Sequence, residues 1–349
     1  MKRYRFLFVF ILAMGLIQGC TKNDPEKDLT SLTIGTMNMG NFKPSKVVAY
    51  KPLEGYIVEL TSDTITFTIL LTDLKTGNYS ITNQNLSEGK AIFNIGFKQS
   101  AYSATEGTIL ITDTSNNSIS GSYSVTNSTN GNGEPLKISN GKFDKVQIES
   151  FVYGTVEDYE HNQYKTLEIG TQTWMAQNLK SIIYSNGDSI IEVYRYNKSD
   201  SLMNIYGLYY TWSAATYNSN IEMTQGACPV EWHLPSNNEW QQLLNELGGE
   251  TIAGGKLMSM LLWDVPNGWA DNGSGFSALG AGVHHPILEY PDLSERIGMQ
   301  TYFWSSTFNE TVGNLSTAWS VGLSSGTSYA LRSPYYRTDM GFSVRCIKN

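Results

Sequence analysis

Cys228 and Cys346 are the side chains of this sequence best suited to covalent chemistry. In an exported chain, which the first twenty residues indicate, an even pair of thiols is oxidised by default, so a disulfide is expected between them. It would close a loop of roughly 120 residues, worth about 4 kcal/mol on the chain-entropy model. Two free buried thiols are the alternative, and neither cysteine has a partner at zinc-type spacing. Of the four histidines, His161, His233, His284 and His285, only the last two adjoin. Neighbouring side chains diverge on a strand, so joint ligation of one metal is awkward, and the two read as a solvent-exposed loop pair. His233 reads as a structural hydrogen-bonding residue. No H-E-x-x-H or phosphate-cradling glycine loop occurs. A glycosidase pair cannot be picked out of 32 acidic residues. No catalytic residue is assigned, and a degenerate hydrolase ranks third among the readings.

Recognition chemistry is better represented. Trp263, Trp269, Trp304, Trp319, Tyr335 and Tyr336 could stack on the apolar faces of sugars, against the plainer reading of most tryptophans as core. Trp304 and Trp319 lie in Ser-, Asn- and Gly-rich surroundings and are the first choices for a rigid aromatic anchor, with Asp271 and Asn272 as polar partners. Asp264, Asp271, Asn272, Glu289 and Asp292 share one long loop, and their oxygens suit Ca²⁺. The EPN- or WND-type triplets of calcium-dependent lectins are absent, so no cofactor is expected and Ca²⁺ is the one the loop admits.

The elements that must carry these residues begin after a leader. Lys2, Arg3 and Arg5 precede an apolar run from Phe6 to Ile17, too short for a comfortable membrane span, with small Gly19 at a processing junction. Ile17-Gln18-Gly19-Cys20 resembles the lipobox of bacterial lipoproteins, which implies acylation of Cys20 and attachment to the lipid bilayer. Residues 1–20 then form a signal peptide and 21–30 a polar tether. The acidic stretch after Cys20 resembles the surface-export signal of Bacteroidetes lipoproteins and implies an outer-membrane protein facing the cell surface. Loss of the three basic residues takes the formal charge from −8 to −11. Such a chain has no electrostatic reason to seek nucleic acid or anionic lipid.

Two domains are expected. Residues 31–150 contain no Trp or Cys and show short β-like runs at 56–60, 64–71, 91–97, 108–112 and 118–125, separated by turn residues. Ile65, Phe67 and Ile69 alternate with threonines, the period of a half-buried strand. An all-β domain follows, sandwich-like or an open barrel; it resembles small β-sandwich modules at the front of Bacteroidetes lipoproteins, and no cluster in it suggests chemistry. Residues 153–349 are mixed. Ser236 and Glu239 form a capping box ahead of Trp240, Leu243, Leu244 and Leu247, one apolar helix face ended by Gly248-Gly249. Further helices are expected at 209–217 and 255–263.

The motifs Thr173 to Leu179, Leu208 to Trp212, Cys228 to Ser236 with Glu239-Trp240, Gly275 to Leu279, Phe303 to Thr307 and Gly341 to Ile347 occur in one order. They resemble the Fibrobacter succinogenes major paralogous domain over about 190 residues. Glu231 stands where that family usually has Gly. Gly280-Ala281-Gly282-Val283-His284 replaces its Pro-Gly-Gly-Tyr-Arg stretch, which puts in doubt any family function that depends on that loop. The Trp-His-Leu-Pro-Ser block and Gly-Phe-Ser-Val-Arg also resemble the formylglycine-generating group, implying an α+β, C-type-lectin-like fold that a Cys228–Cys346 bridge would suit. Only Cys346 stands where that group keeps two reactive cysteines, so its oxidation chemistry is not expected.

The reading of the whole is a lipoprotein with a non-enzymatic, lectin-like binding or adhesion module, whose partners are glycan or a host or envelope protein. The alternative is a structural or assembly component of the envelope or of a fimbria-like appendage. If Cys20 carries the anchor, Cys20→Ala moves the protein from the membrane to the soluble fraction; persistent membrane partitioning of the variant rules the anchor out.

Overall fold

The computed structural model describes residues 30–349 apart from 35–36, 43, 53–54, 63, 84–85, 98–99, 131, 265–268 and 287–293. The leader, Cys20, the tether up to residue 29, Glu289 and Asp292 lie outside the described residues. Strands make up 49% and helices 11%, so the β-rich class expected from the sequence is the one observed.

Ten strands come first: β1 (Thr30–Ile34), β2 (Met37–Phe42), β3 (Lys46–Lys51), β4 (Tyr56–Thr61), β5 (Ile65–Leu71), β6 (Gly77–Ile81), β7 (Lys90–Phe97), β8 (Ser100–Asp113), β9 (Ser118–Asn130) and β10 (Leu136–Ser150). They form one sheet in the order β2-β1-β10-β3-β4-β5-β7-β6-β8-β9, and β9 pairs back onto β10. The sheet therefore closes on itself as a barrel, the second of the two expected architectures, closed where an open one was expected. Register shifts along β8–β9 and β9–β10 supply the bends that closure needs. Period-two alternation sends Leu60, Phe67, Ile69, Phe93 and Ile95 inward to pack with Tyr123 and Phe143. The five expected runs correspond to β4, β5, β7, β8 and β9, the second starting one residue ahead of its strand.

The same alternation turns three cross-strand rows outward on β4, β5 and β7: Ile57–Leu70–Ile92, Glu59–Thr68–Asn94 and Thr61–Thr66–Gly96. The first row is apolar, and with Tyr50 it packs against Met260 and the partly buried Leu261 and Phe151.

The remaining chain has strands β11 (Gly154–Glu157), β12 (Gln163–Ile169), β13 (Gln172–Met175), β14 (Val193–Tyr194), β15 (Tyr209–Tyr210), β16 (Trp232–His233), β17 (Val283–His284), β18 (Ser294–Glu295), β19 (Gln300–Val312), β20 (Leu315–Ser324), β21 (Ala330–Arg337) and β22 (Ile347–Lys348). Its helices are α1 (Asp200–Tyr206), α2 (Trp212–Thr216), α3 (Asn237–Glu246) and α4 (Glu250–Leu257). One sheet runs β11-β12-β13-β22-β16 and another β19-β20-β21. Helix α3 has both halves of its capping box and buries Trp240, Leu243 and Leu244. Helix α2 is shorter than expected because Tyr209 and Tyr210 pair with β14 as a strand. The helix expected at 255–263 lies earlier, at α4, and the chain turns away where the Ser259 N–H and the Trp263 indole both donate to the Ala278 carbonyl.

Three locks hold this region. Cys228 and Cys346 are joined, across 118 positions of sequence. His233 bridges Asn349 and Glu239 at 2.6 and 2.9 Å, and the same Glu239 accepts from the Ser236 N–H, so one carboxylate serves both the imidazole and the helix start. Arg345 is 1% exposed, with no carboxylate among its hydrogen-bond partners in the described residues. Its Nε donates to Asn178, its terminal nitrogens to the carbonyls of Met175, Phe276 and Ser277, and its plane lies 4.5 Å from the Phe276 ring centroid. Burial, partly countered by Tyr153, lowers its pKa to about 9.

Glu231 adopts φ +68°, a left-handed conformation suited to the glycine of the resembled pattern. Relief of that strain, less the backbone entropy of glycine, makes Glu231→Gly stabilising by about 0.5–1 kcal/mol, read as a raised melting temperature. Replacing Cys228 and Cys346 by Ser costs about 4 kcal/mol on the chain-entropy model. Two free thiols titrated in the oxidised native protein would contradict the bridge.

Candidate functional site

The loop from Trp269 to Ser274 lies along the end of α4 and faces the outer wall of the barrel. Asp271 N–H donates to the Gly255 carbonyl at 3.0 Å, and the Ser274 N–H and hydroxyl both reach the Lys256 carbonyl. Helix α4 can approach this closely because its interior holds Gly254-Gly255. A Cβ on Gly255 would fall 2.4 Å from the Trp269 carbonyl oxygen, and one on Gly254 would fall 2.2 Å from that of Tyr329. From the barrel, the Tyr50 hydroxyl donates to the Asp271 carbonyl at 2.7 Å.

Beside this junction a groove of about 440 Å³ is lined by Thr61, Thr64, Thr66 and Thr68 on the barrel side and by Trp269, Asp271 and Ser328 on the other. The half-buried indole of Trp269 rests on the third outward row, where a Cβ on Gly96 would lie 3.6 Å from the ring. A second cavity of about 330 Å³ adjoins it, lined among others by Lys46, Glu59, Glu149 and Lys256, and Asp271 borders both. The Asp271 carboxylate accepts the Gly273 N–H at 2.7 Å. Burial and then the Glu59 charge push its pKa up to about 7, against the Gly273 hydrogen bond and Lys256. A carboxyl poised near neutrality beside an aromatic ring, in a cleft of hydroxyls, is the arrangement most suited to recognition among the described residues.

The expected anchor and partners are only partly brought together. Trp304 is fully buried, its indole donating to the Tyr210 carbonyl at 2.8 Å and packing 4.2 Å from Phe342, which corrects its assignment as a ligand platform: no face of the ring is free. Asn272 is 3% exposed and locked to Ser277 through both ends of its amide, so it holds the loop's turn and is corrected from ligand partner to scaffold. Trp319 is half-buried on β20 under the Arg332 guanidinium, 5.9 Å from its ring centroid, and does not line the groove. Asp271 does line it. Trp263 is core, Tyr336 packs on Tyr302 and Phe342, and Tyr335 is exposed outside the groove. His284 also departs from expectation: it is buried on β17 and stacks 3.8 Å from Tyr194. Among the described residues no group of three His, Cys, Asp or Glu could hold a metal ion.

The threonine wall belongs to the domain in which no cluster suggested chemistry. Its signal was nonetheless present in the threonines alternating with Ile65, Phe67 and Ile69.

Compared with known proteins, the model of the Fibrobacter succinogenes major domain family matches residues 167–348, just over half of the chain. No curated protein and no solved structure matches.

The raised pKa of Asp271 has a definite sign in stability. The folded protein keeps a proton that the unfolded carboxyl releases near pH 3.9, so Asp271 makes folding less favourable as pH climbs from about 4 to 7, with no further loss above that. In urea titrations the difference between wild type and Asp271→Asn grows across that window; a pH-independent difference contradicts the assignment.

Proposed function

The chain belongs to the Fibrobacter succinogenes major domain family, and starting from that membership we propose that it is a membrane-anchored lipoprotein facing the cell surface, with a non-enzymatic, C-type-lectin-like module that binds carbohydrate. The groove beside Asp271 carries the reading. A pyranose offers an apolar face of C–H groups and a rim of hydroxyls. Trp269 supplies the flat apolar wall, the threonines of β4 and β5 and the segment between them supply hydroxyls, and Asp271 supplies a strong acceptor. Few polar groups converging around one rigid aromatic is the usual economy of a small-ligand site. The anchor rests on Cys20 and the leader before it, and adhesion is the role that surface placement gives such a module.

A glycan array probed with the purified mature protein tests the reading, and bound glycans are then titrated against Trp269→Ala. Loss of an aromatic anchor weakens binding by roughly tenfold or more while circular dichroism stays native, because the ring is half-exposed. Unchanged affinity in the variant moves the site elsewhere, and a wild type that binds no glycan leaves the structural or assembly role.

A further inference from the structure

We propose that Asp271 is the specificity-determining residue of this groove, admitting uncharged oligosaccharides and turning away those that carry carboxylate or sulfate. The proposal rests on the carbohydrate-binding reading and names the ligand class it implies.

The lining decides the charge. Among the described residues that line the groove, Asp271 is the sole ionisable side chain; the others are hydroxyl-bearing, aliphatic, glycine or Trp269. An anionic sugar seated on the indole would bring a second negative charge to the carboxylate with no cation among the described lining residues to offset it. At a separation of about 5 Å in a partly buried site that repulsion weakens binding by roughly tenfold or more. The cations nearby, Lys46 and Lys256, belong to the adjoining cavity, where Glu59 and Glu149 already face them. Asp271 cannot swing away to make room, because Tyr50 holds its carbonyl and the Gly273 N–H holds its carboxylate.

The same geometry gives two pH dependences of opposite sign. The groups facing Asp271 are Glu59 from β4, Tyr50 and Lys46 from β3, Glu149 from β10 and Lys256 from α4. With burial and Glu59 setting its ionisation near pH 7, a neutral sugar meets a protonated carboxyl below that pH and a carboxylate above it. The carboxylate is the stronger acceptor of sugar hydroxyls, so neutral ligands tighten as pH rises. Acidic ligands weaken over the same interval.

Calorimetric titration between pH 5.5 and 8.5, with a neutral tetrasaccharide chosen from the array and its uronate-bearing counterpart, tests this. Neutral affinity is expected to rise roughly fivefold across the range, the difference between a neutral and a charge-assisted hydrogen bond. The uronate is expected to bind about as well as the neutral sugar near pH 5.5 and to fall below it as pH rises. Asp271→Asn flattens both profiles and narrows the gap between the ligands. Glu59→Gln keeps the carboxyl but moves the midpoint of the neutral-ligand profile to lower pH, which loss of a merely structural contact would not do. Equal binding of both sugars with flat profiles in the wild type overturns the proposal and leaves carbohydrate binding intact; binding of neither overturns both.

Discussion

A guanidinium sealed in the protein interior organises the C-terminal region. Arg345 keeps its charge at neutral pH even with its pKa lowered to about 9, and no carboxylate among the described residues accepts a hydrogen bond from it. It is stabilised by dipoles: the Asn178 side chain, three backbone carbonyls and the faces of Phe276 and Phe303. Those partners come from positions 175–178, 276–277 and 303, so one side chain fixes three distant stretches at once. A neutral replacement leaves several buried acceptors without donors, each costing about 1–3 kcal/mol. The loop that presents Trp269 and Asp271 ends just before Phe276, and its C-terminal end is fixed by that anchor.

The junction with the barrel follows a second rule, that a strand exposes every other residue. The barrel interior uses one set of positions on β4, β5 and β7, and the outward set is divided along its length. Ile57, Leu70 and Ile92 make an apolar patch that Met260 covers, while Thr61, Thr66 and Gly96 stay polar and small. Docking at the first row holds the third row a short way from the loop. The groove is therefore a by-product of register: a one-residue slip in β5 would turn Phe67 and Ile69 outward and bury the threonines.

Much of this architecture was legible in the residues. The capping box of Ser236 and Glu239, the cysteine pair and the strand runs of the first half all announce themselves through local chemistry. What escaped notice depends on distant contacts. Arg345 looks like any charged residue near a terminus until its partners, nearly 170 positions away in sequence, are known. Trp304 and Trp319 sit in similarly polar surroundings, yet one is sealed against Phe342 and the Tyr210 carbonyl and the other is half-open under Arg332, because each meets a different distant segment. The groove joins residues near 61–68 with residues near 269–271, and no local pattern reports such an encounter. Barrel closure was equally hidden, since it requires β9 to find β10 through bulges that have no sequence signature of their own.

The Cys228–Cys346 bridge encloses α3, α4, the Trp269–Ser274 loop and the whole β19–β21 sheet within a covalent ring. In the proposed role, with the chain held by lipid at one end and loaded at its groove, that ring would act as a mechanical device. The 118 positions between the two sulfurs would otherwise add on the order of 400 Å of slack when pulled straight. With the bridge closed, load applied to Trp269 or Asp271 travels around both arms of the loop to the same pair of sulfurs, and that length cannot pay out. Tension would then fall on the β12–β13–β22 ladder and the barrel, while the loop carrying Trp269 and Asp271 stays inside the ring.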